Sequence, residues 1–238
     1  MSAAEFTSIL QTDSWFKMAP PALQQAIVDI GFPRSLRPGQ TLFHRGEPAA
    51  GVFGVLEGRL AAFGVSEHGD EALQVHLDPV IWFGEMGLYD DLPRAHHVRA
   101  VSQSTVIFLP QEQLRCFLQK NPEYWFHFGI LLTTKLRLSF FLHDGRKLES
   151  NDLRVARLLL VITQSFGPKS ENTKPRLVIH QQEVAEMLGM SRQTVNQALQ
   201  RLQAEGLLHI AYNKIEILDI AALQNKVHYE NWLPVAPS

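Results

Sequence analysis

One cysteine, Cys116, occurs in 238 residues. That scarcity excludes an internal disulfide framework, and any iron–sulfur or zinc centre that draws several thiolates from one chain. Cys116 reads as a buried, inert thiol. Long apolar runs are missing too: no stretch approaches membrane-spanning length, and the opening MSAAEFTSILQTDSW has no basic segment leading into an apolar core. A cytoplasmic protein without a membrane partner is expected. No Pro/Ser/Gly-rich or acidic tract marks long disorder. Positive charge is not in excess, because 22 Lys and Arg stand against 24 Asp and Glu for a formal net charge of −2. The basic footprint common in nucleic-acid-binding domains is therefore absent, and any DNA binding must rest on local contacts.

What is present suits two modest domains, each able to bury a core. In residues 7–31 Ile9, Leu10, Trp15, Phe16, Leu23, Ile27, Val28 and Ile30 are interrupted by Pro20 and Pro21, which predicts two short covering helices. From about 36 to 110, β-prone runs such as TLFHR, GVFGVLEG, RLAAFGV and TVIFLP alternate with Gly, Pro and Asp, as in a small antiparallel sandwich or barrel. QEQLRCFLQK then reads as a helix. Asn121 is a plausible N-cap, with Pro122 in the first helical position, for a long helix over about 122–147. Trp125, Phe128, Leu132 and Leu136 recur at spacings of three and four, while Phe126, Ile130, Leu131, Leu138 and Phe141 cover other faces. A helix apolar on several sides packs on several neighbours, so one face suits the chain's own β domain and the heptad-like face suits a parallel seam with a second copy. The polar segment 143–152 reads as a hinge, dividing the chain into 1–147 and 148–238.

The segment HQQEVAEMLGMSRQTVNQALQRLQAEGLL, 180–208, carries the most specific pattern. Counted from Gln181, small Ala185 falls at position five and Gly189 at nine, with Val184, Leu188, Met190, Val195 and Ala198 at the apolar positions between and beyond. A helix-turn-helix needs a small residue where its helices cross and a turn residue that tolerates positive φ. Ser191 caps the second helix, so Arg192, Gln193 and Asn196 occupy the exposed turns that enter a major groove. LLHIAYNKIEIL alternates around the turn-like Asn213-Lys214, which predicts a two-stranded wing. Arg192 offers a fork to guanine O6 and N7, and Gln193 or Gln197 suits adenine N6 and N7. Gln181, Gln182, Arg176 and Lys214 are candidate phosphate contacts. Residues 150–238 hold nine Lys or Arg against eight Asp or Glu, so nonspecific affinity is expected to be weak and specificity to rest on base contacts and half-site spacing. No Ser/His/Asp set, metal cluster or phosphate-binding glycine loop supports a catalytic activity, and no enzyme is expected.

The order β domain, long helix, hinge, winged helix-turn-helix resembles the Crp/Fnr family of bacterial transcription regulators over nearly the whole chain. Its most specific pieces are GEMGL at 84–88 with PRA at 93–95, RVARLLL at 154–160 and QEVAEMLGMSRQTV at 182–195. The resemblance implies an α+β chain with an N-terminal cyclic-nucleotide-binding-type β-barrel (jelly roll), a dimerisation helix and a C-terminal winged helix-turn-helix. It further implies a homodimer on a palindromic operator, RNA polymerase as a further partner, and cAMP or cGMP as a non-covalent effector. In family members that bind cyclic nucleotides, the positions matching Glu85 and Arg94 hold the ribose 2′-hydroxyl and the cyclic phosphate, with Gly84 allowing close backbone approach. Carboxylate to hydroxyl and guanidinium to phosphodiester are chemically apt pairings. Helical N–H groups from about Gly87 onward are a further candidate anion contact. Ala95 stands where many bacterial members carry Ser or Thr. Ser139 and Phe140 match the purine-contacting pair, and Phe140 either stacks on a base or fills the space where the base would sit. Three readings remain beside this one: a cyclic di-GMP-responsive regulator, a ligand-independent regulator in which a Glu85–Arg94 ion pair is structural, and a nucleotide-binding module acting through protein contacts. Asp90 and Asp91 read as a solvated acidic turn. For His96 and His97, a neutral core or surface role is expected, because a metal or haem would need a second ligand that the sequence does not identify among His44, His68, His76 and His127.

Overall fold

Asp13, Pro20 and Pro21 punctuate the N-terminal segment into three helices, not two: α1 (Ala3–Leu10), α2 (Ser14–Met18) and α3 (Pro21–Ile30). The computed structural model describes residues 3–66, 68–148, 150–166, 176–177, 179–211 and 214–228. Asp13 caps α2 by accepting from the N–H groups of Trp15 at 3.2 Å and Phe16 at 3.1 Å. Pro21 takes the first position of α3, where a helix needs no N–H. Buried Leu10, Phe16, Leu23 and Ile27 fasten this cover to Val52, Leu56, Trp82, Ile107 and Leu109 of the sheet beneath.

That sheet is antiparallel, in the order β1 (Phe32–Leu36), β8 (Ser104–Pro110), β3 (Gly51–Glu57), β6 (Trp82–Phe83). A second sheet runs β2 (Thr41–Phe43), β7 (His97–Ala100), β4 (Leu60–Val65), β5 (Glu71–Leu77). Two four-stranded antiparallel sheets make a jelly-roll sandwich, as expected, although the sheets do not close into a barrel. Register brings Phe32, Phe108, Phe53 and Phe83 into one row across all four strands of the first sheet. Phe53 stacks on Phe108 at 4.7 Å and on Phe83 at 5.4 Å, and Phe43 closes on Phe53 from the other sheet at 5.7 Å. Each such ring pair contributes about 0.5–1.5 kcal/mol beyond burial.

Asp13 does a second thing. Its other face of contacts includes the indole N–H of Trp82, which donates to Oδ2 at 2.9 Å and ties the helical cover to β6. Asp13→Ala removes a helix cap and a buried acceptor together, and is expected to cost about 2–4 kcal/mol, read as a lowered unfolding midpoint. An unchanged midpoint would exclude this double role.

After α4 (Gly87–Asp90), a single turn, α5 (Gln111–Lys120) buries Leu114 and Leu118. Cys116 lies between them on the other side of that helix and is exposed, correcting the expectation of a buried thiol. Asn121 does not cap the next helix: its side-chain amide donates to the Phe117 carbonyl at 2.9 Å, closing α5, and a 3₁₀ turn at Pro122–Tyr124 leads into α6 (Trp125–Leu148). The predicted hinge over 143–152 shrinks accordingly. The helix continues through its polar end, since internal backbone bonds do not need apolar side chains, and α7 (Asn151–Phe166) begins three residues later.

The chain forms two compact units, with the division at Thr133/Thr134 within α6. Within the first, Phe128 is fully buried and Trp125, Ile130 and Leu131 pack around the same core. Within the second, Leu138 and Phe141 join a core made by Val155, Leu159, Val184, Val195, Leu199, Leu208 and Ile215. No helix among the described residues is long and apolar enough to cross a membrane.

Candidate effector site and nucleic-acid interface

The loop between β6 and β7 places Gly84, Glu85 and Arg94. Both charged residues are buried, Glu85 at 2 % exposure and Arg94 at 7 %. The Arg94 guanidinium donates to the Gly51 carbonyl at 2.6 Å and to the Gly84 carbonyl at 3.3 Å, and lies over the rings of Phe43 at 4.5 Å and Phe53 at 5.4 Å. Burial pulls its pKa below the usual guanidinium range, while the charges of Glu85 and Glu47 push it back up. Gly84 has φ +90°, and a Cβ there would stand 2.5 Å from Nη1 of Arg94. The close approach foreseen for Gly84 is thus made by Arg94 itself.

The surroundings hold this loop firmly. Leu88, Tyr89 and Asp90 donate their N–H groups to the carbonyls of Glu85 and Met86. Those three donors are consumed within the α4 turn. Asp90 accepts from the Leu92 N–H at 3.0 Å, and Asp91, in a left-handed conformation at φ 55°, meets Arg115 at 2.5 Å and Gln111 at 3.0 Å. Both carboxylates are exposed, as expected of a solvated acidic turn, and these contacts also tie them into the loop. Arg115 also donates to the carbonyls of Gly87 and Leu88, both at 2.8 Å. Tyr89 donates to the Trp125 carbonyl at 2.9 Å; burial first, and then Glu85, raise its pKa above the usual phenol value. Asp13, Arg115 and the phenylalanine row were not singled out from sequence; a lone Asp ahead of Ser-Trp-Phe was a readable cap signal, whereas the row depends on strand register.

Gly84, Glu85 and Arg94 come together, and exposed Ala95 adjoins Arg94 in the chain. Ser139 and Phe140 lie in the second compact unit and are exposed on α6. The heptad-like face is also redrawn: Phe128 belongs to the first core, and among the described side chains the large apolar ones that α6 exposes are Phe126, Leu136 and Phe140.

In the second unit α8 (Gln181–Leu188) and α9 (Arg192–Ala204) form the expected pair. Gly189 ends α8 at φ 60°, and Ser191 caps α9 by accepting from the Thr194 N–H at 3.1 Å. Glu183 accepts from the His180 N–H at 2.8 Å, closing the start of α8. Val184, Ala185, Val195, Ala198, Leu199 and Leu202 are buried, with Leu188 and Met190 packed against them. The same periodicity leaves Arg192, Gln193 and Gln197 exposed and Asn196 half-buried on the first turns of α9. Gln182 is exposed, bonded to Glu186 at 3.1 Å, and Gln181 is half-buried. β10 (Leu208–Ala211) and β11 (Lys214–Ile217) make the wing, with exposed Lys214 opposite Ala211. A third short strand, β9 (Arg176–Leu177), pairs with β11 and widens the expected two-stranded wing. The Arg176 side chain and Asn213 lie outside the described residues.

Residues 33–121 match the cyclic nucleotide-binding domain family, and residues 153–226 match the Crp-like helix-turn-helix domain family. A CRP-like cAMP-activated global transcriptional regulator of Mycobacterium tuberculosis is 27% identical over 209 residues, covering 86% of this chain and 90% of the relative. The cyclic AMP receptor protein of Thermus thermophilus is 28% identical over 195 residues, covering 81% and 87%. The solved structure of the c-di-GMP-responsive global regulator CLP of Xanthomonas campestris shares the fold with TM-score 0.64 and 21% identity, covering 84% of this chain and all of the other. A buried Glu–Arg loop in a jelly-roll sandwich, followed by a capped reading helix and wing, accounts for both family matches, and the chain belongs to the Crp/Fnr family of effector-controlled, DNA-binding transcription regulators.

Proposed function

We propose that this regulator is a cytoplasmic homodimer that reads a two-fold symmetric operator, and that a cyclic nucleotide held by Glu85 and Arg94 changes how the two reading helices are presented. The observation that carries the effector reading is the burial of Glu85 and Arg94 side by side with Gly84. A carboxylate accepts from a ribose 2′-hydroxyl, and a guanidinium with five donors can hold two carbonyls while still presenting N–H groups to a cyclic phosphate. Ala95 and Ser139 complete the candidate set, Ser139 as a hydroxyl for the base. Cyclic AMP or cyclic GMP is the first assignment. Cyclic di-GMP follows, by likeness to the Xanthomonas regulator. The ligand-independent reading draws on one observation: Arg94 already has two carbonyls and two aromatic faces as partners.

On DNA, Arg192, Gln193, Asn196 and Gln197 read base edges, while Gln181, Gln182, Arg176 and Lys214 hold phosphates. RNA polymerase is the further partner that a regulator of transcription would meet. The deciding experiment is an electrophoretic mobility assay across palindromic and random duplexes, run with each of the three nucleotides, alongside calorimetric titration of the same nucleotides. Preference for a palindrome that grows with one nucleotide supports the reading. No preference under any condition sinks it.

Exposed Phe126, Leu136 and Phe140 support the dimer, because a monomer would leave large rings and a leucine in water along one helix. Leu136→Glu would set two carboxylates in a desolvated seam, at a cost of several kcal/mol. The expected result by light scattering is a monomer that binds a half-site only weakly. A variant that stays dimeric places the seam elsewhere.

A further inference from the structure

The folded chain supplies the second imidazole that His97 lacked in sequence. β2 and β7 are antiparallel with Phe43 opposite Val98, so one step further along the ladder His44 comes opposite His97. Their Nδ1 atoms are 3.0 Å apart, with ring centroids at 5.1 Å and ring planes at 85°. Phe43 and Val98 are buried, so alternation turns His44 and His97 to the outer face, where His44 is exposed and His97 half-buried. Arg45 and His96, the next residues along, are exposed and lie in a turn and a bend. Partial burial and the Arg45 charge lower the His96 pKa, and Arg45 donates to the Val65 carbonyl at 3.1 Å.

We propose that His44 and His97 form a bidentate site for a divalent late first-row metal ion, Cu²⁺ or Ni²⁺. With metal–nitrogen bonds of about 2.0–2.1 Å, nitrogens 3.0 Å apart subtend roughly 90–97° at the metal. A tetrahedral ion would spread them to about 3.3 Å. The observed spacing suits neighbouring positions of a tetragonal or octahedral ion, which favours Cu²⁺ or Ni²⁺ over zinc. Among the described residues no group of three or more His, Cys, Asp or Glu side chains is arranged around a metal. The site thus has two protein ligands and leaves its other positions to water or an incoming donor. Without metal, one Nδ1–H donates to the other Nδ1. Coordination needs both Nδ1 lone pairs, so the donor ring carries its proton on Nε2 instead, and no proton is gained or lost by the neutral pair.

The position gives the site a consequence. The Gly46 N–H donates to the Arg94 carbonyl at 2.9 Å, and the Arg94 N–H donates to the Glu47 carbonyl at 2.8 Å, so segments 44–47 and 94–97 run side by side. Phe43, next to His44, is the ring 4.5 Å from the Arg94 guanidinium. A metal joining His44 to His97 cross-links the two segments that hold Arg94, and metal occupancy would favour one setting of that guanidinium. This coupling rests on the effector reading; the metal site does not.

The test is calorimetric titration of untagged full-length protein with Ni²⁺ in the absence of nucleotide, on wild type, His44→Gln, His97→Gln and, as a control, His68→Gln. One saturable ion per chain is expected in wild type and control, with affinity lower by roughly tenfold or more in each of the other two. Electron paramagnetic resonance of Cu²⁺-loaded wild type should show coupling to two imidazole nitrogens, a readout that needs no variant to fold. No saturable binding by wild type, or equal binding by all four proteins, overturns the site. Repeating the nucleotide titration with and without Ni²⁺ separates the two readings: metal binding with no nucleotide binding at all defeats the effector assignment and leaves the metal site standing.

Discussion

Arg192→Ala is expected to abolish discrimination between operator and random DNA while leaving the fold intact. Arg192 is the first residue of α9, exposed, directly behind the Ser191 cap that orients the helix start. Its side chain is free of the buried set on which α9 depends, Val195, Ala198, Leu199 and Leu202. A bidentate guanidinium–guanine contact discriminates by about 1–3 kcal/mol, and two half-sites double it to about 2–6 kcal/mol. That corresponds to an operator affinity lower by roughly 30-fold to 10⁴-fold, with random-sequence affinity much less changed. Fluorescence anisotropy on both duplexes at one salt concentration measures the ratio. Lys214→Ala, at the wing, provides the contrast: it should weaken both duplexes alike and reduce the salt slope by about one. If Arg192→Ala lowers both affinities equally, Arg192 holds phosphate and the base-reading role passes to Gln193 or Gln197.

The reading head was legible in the sequence because its determinants are local. A small residue at Ala185, a left-handed Gly189 and a capping Ser191 lie within seven consecutive residues, and the apolar periodicity on either side identifies the buried face. The jelly roll was legible as a class, from strand-length runs and their punctuation, but not in detail. The row Phe32, Phe108, Phe53, Phe83 draws on residues up to 76 positions apart, brought into line only by register. The same holds for Asp13 with Trp82 and for His44 with His97, each a meeting of segments that periodicity reads separately. In α6 the local signal misled, because a helix apolar on most sides gives no single stripe. Phe128, assigned to the seam, is one of the most deeply buried side chains of the first unit, and Phe126 is exposed instead. Cys116 failed for a simpler reason: composition says that cysteine is often buried, but its place on α5, midway between Leu114 and Leu118, decides otherwise.

Arg94→Ala should have the largest effect on the first unit, and it separates the two roles open to that residue. Glu85 is 2 % exposed and its charge favours the Arg94 cation, so removing the guanidinium takes an attractive charge away from a buried carboxylate. The carbonyls of Gly51 and Gly84 lose a donor, and Phe43 and Phe53 lose a cation over their faces, worth about 0.5–2 kcal/mol. A lower denaturation midpoint is therefore expected whether or not a ligand is bound. Arg94→Lys discriminates, since lysine restores the positive charge but not a planar fork able to serve two carbonyls and a phosphate together. If Arg94 binds a cyclic phosphate, Arg94→Lys recovers much of the stability yet shows a greatly reduced calorimetric response to cyclic AMP or cyclic GMP relative to wild type. If Arg94 is only a clamp, wild type gives flat traces as well, Arg94→Lys again recovers stability, and operator binding follows folding alone. Wild-type nucleotide binding that persists undiminished in Arg94→Ala, with the variant still folded, removes Arg94 from the effector site and leaves Glu85 to be explained by the packing of the loop.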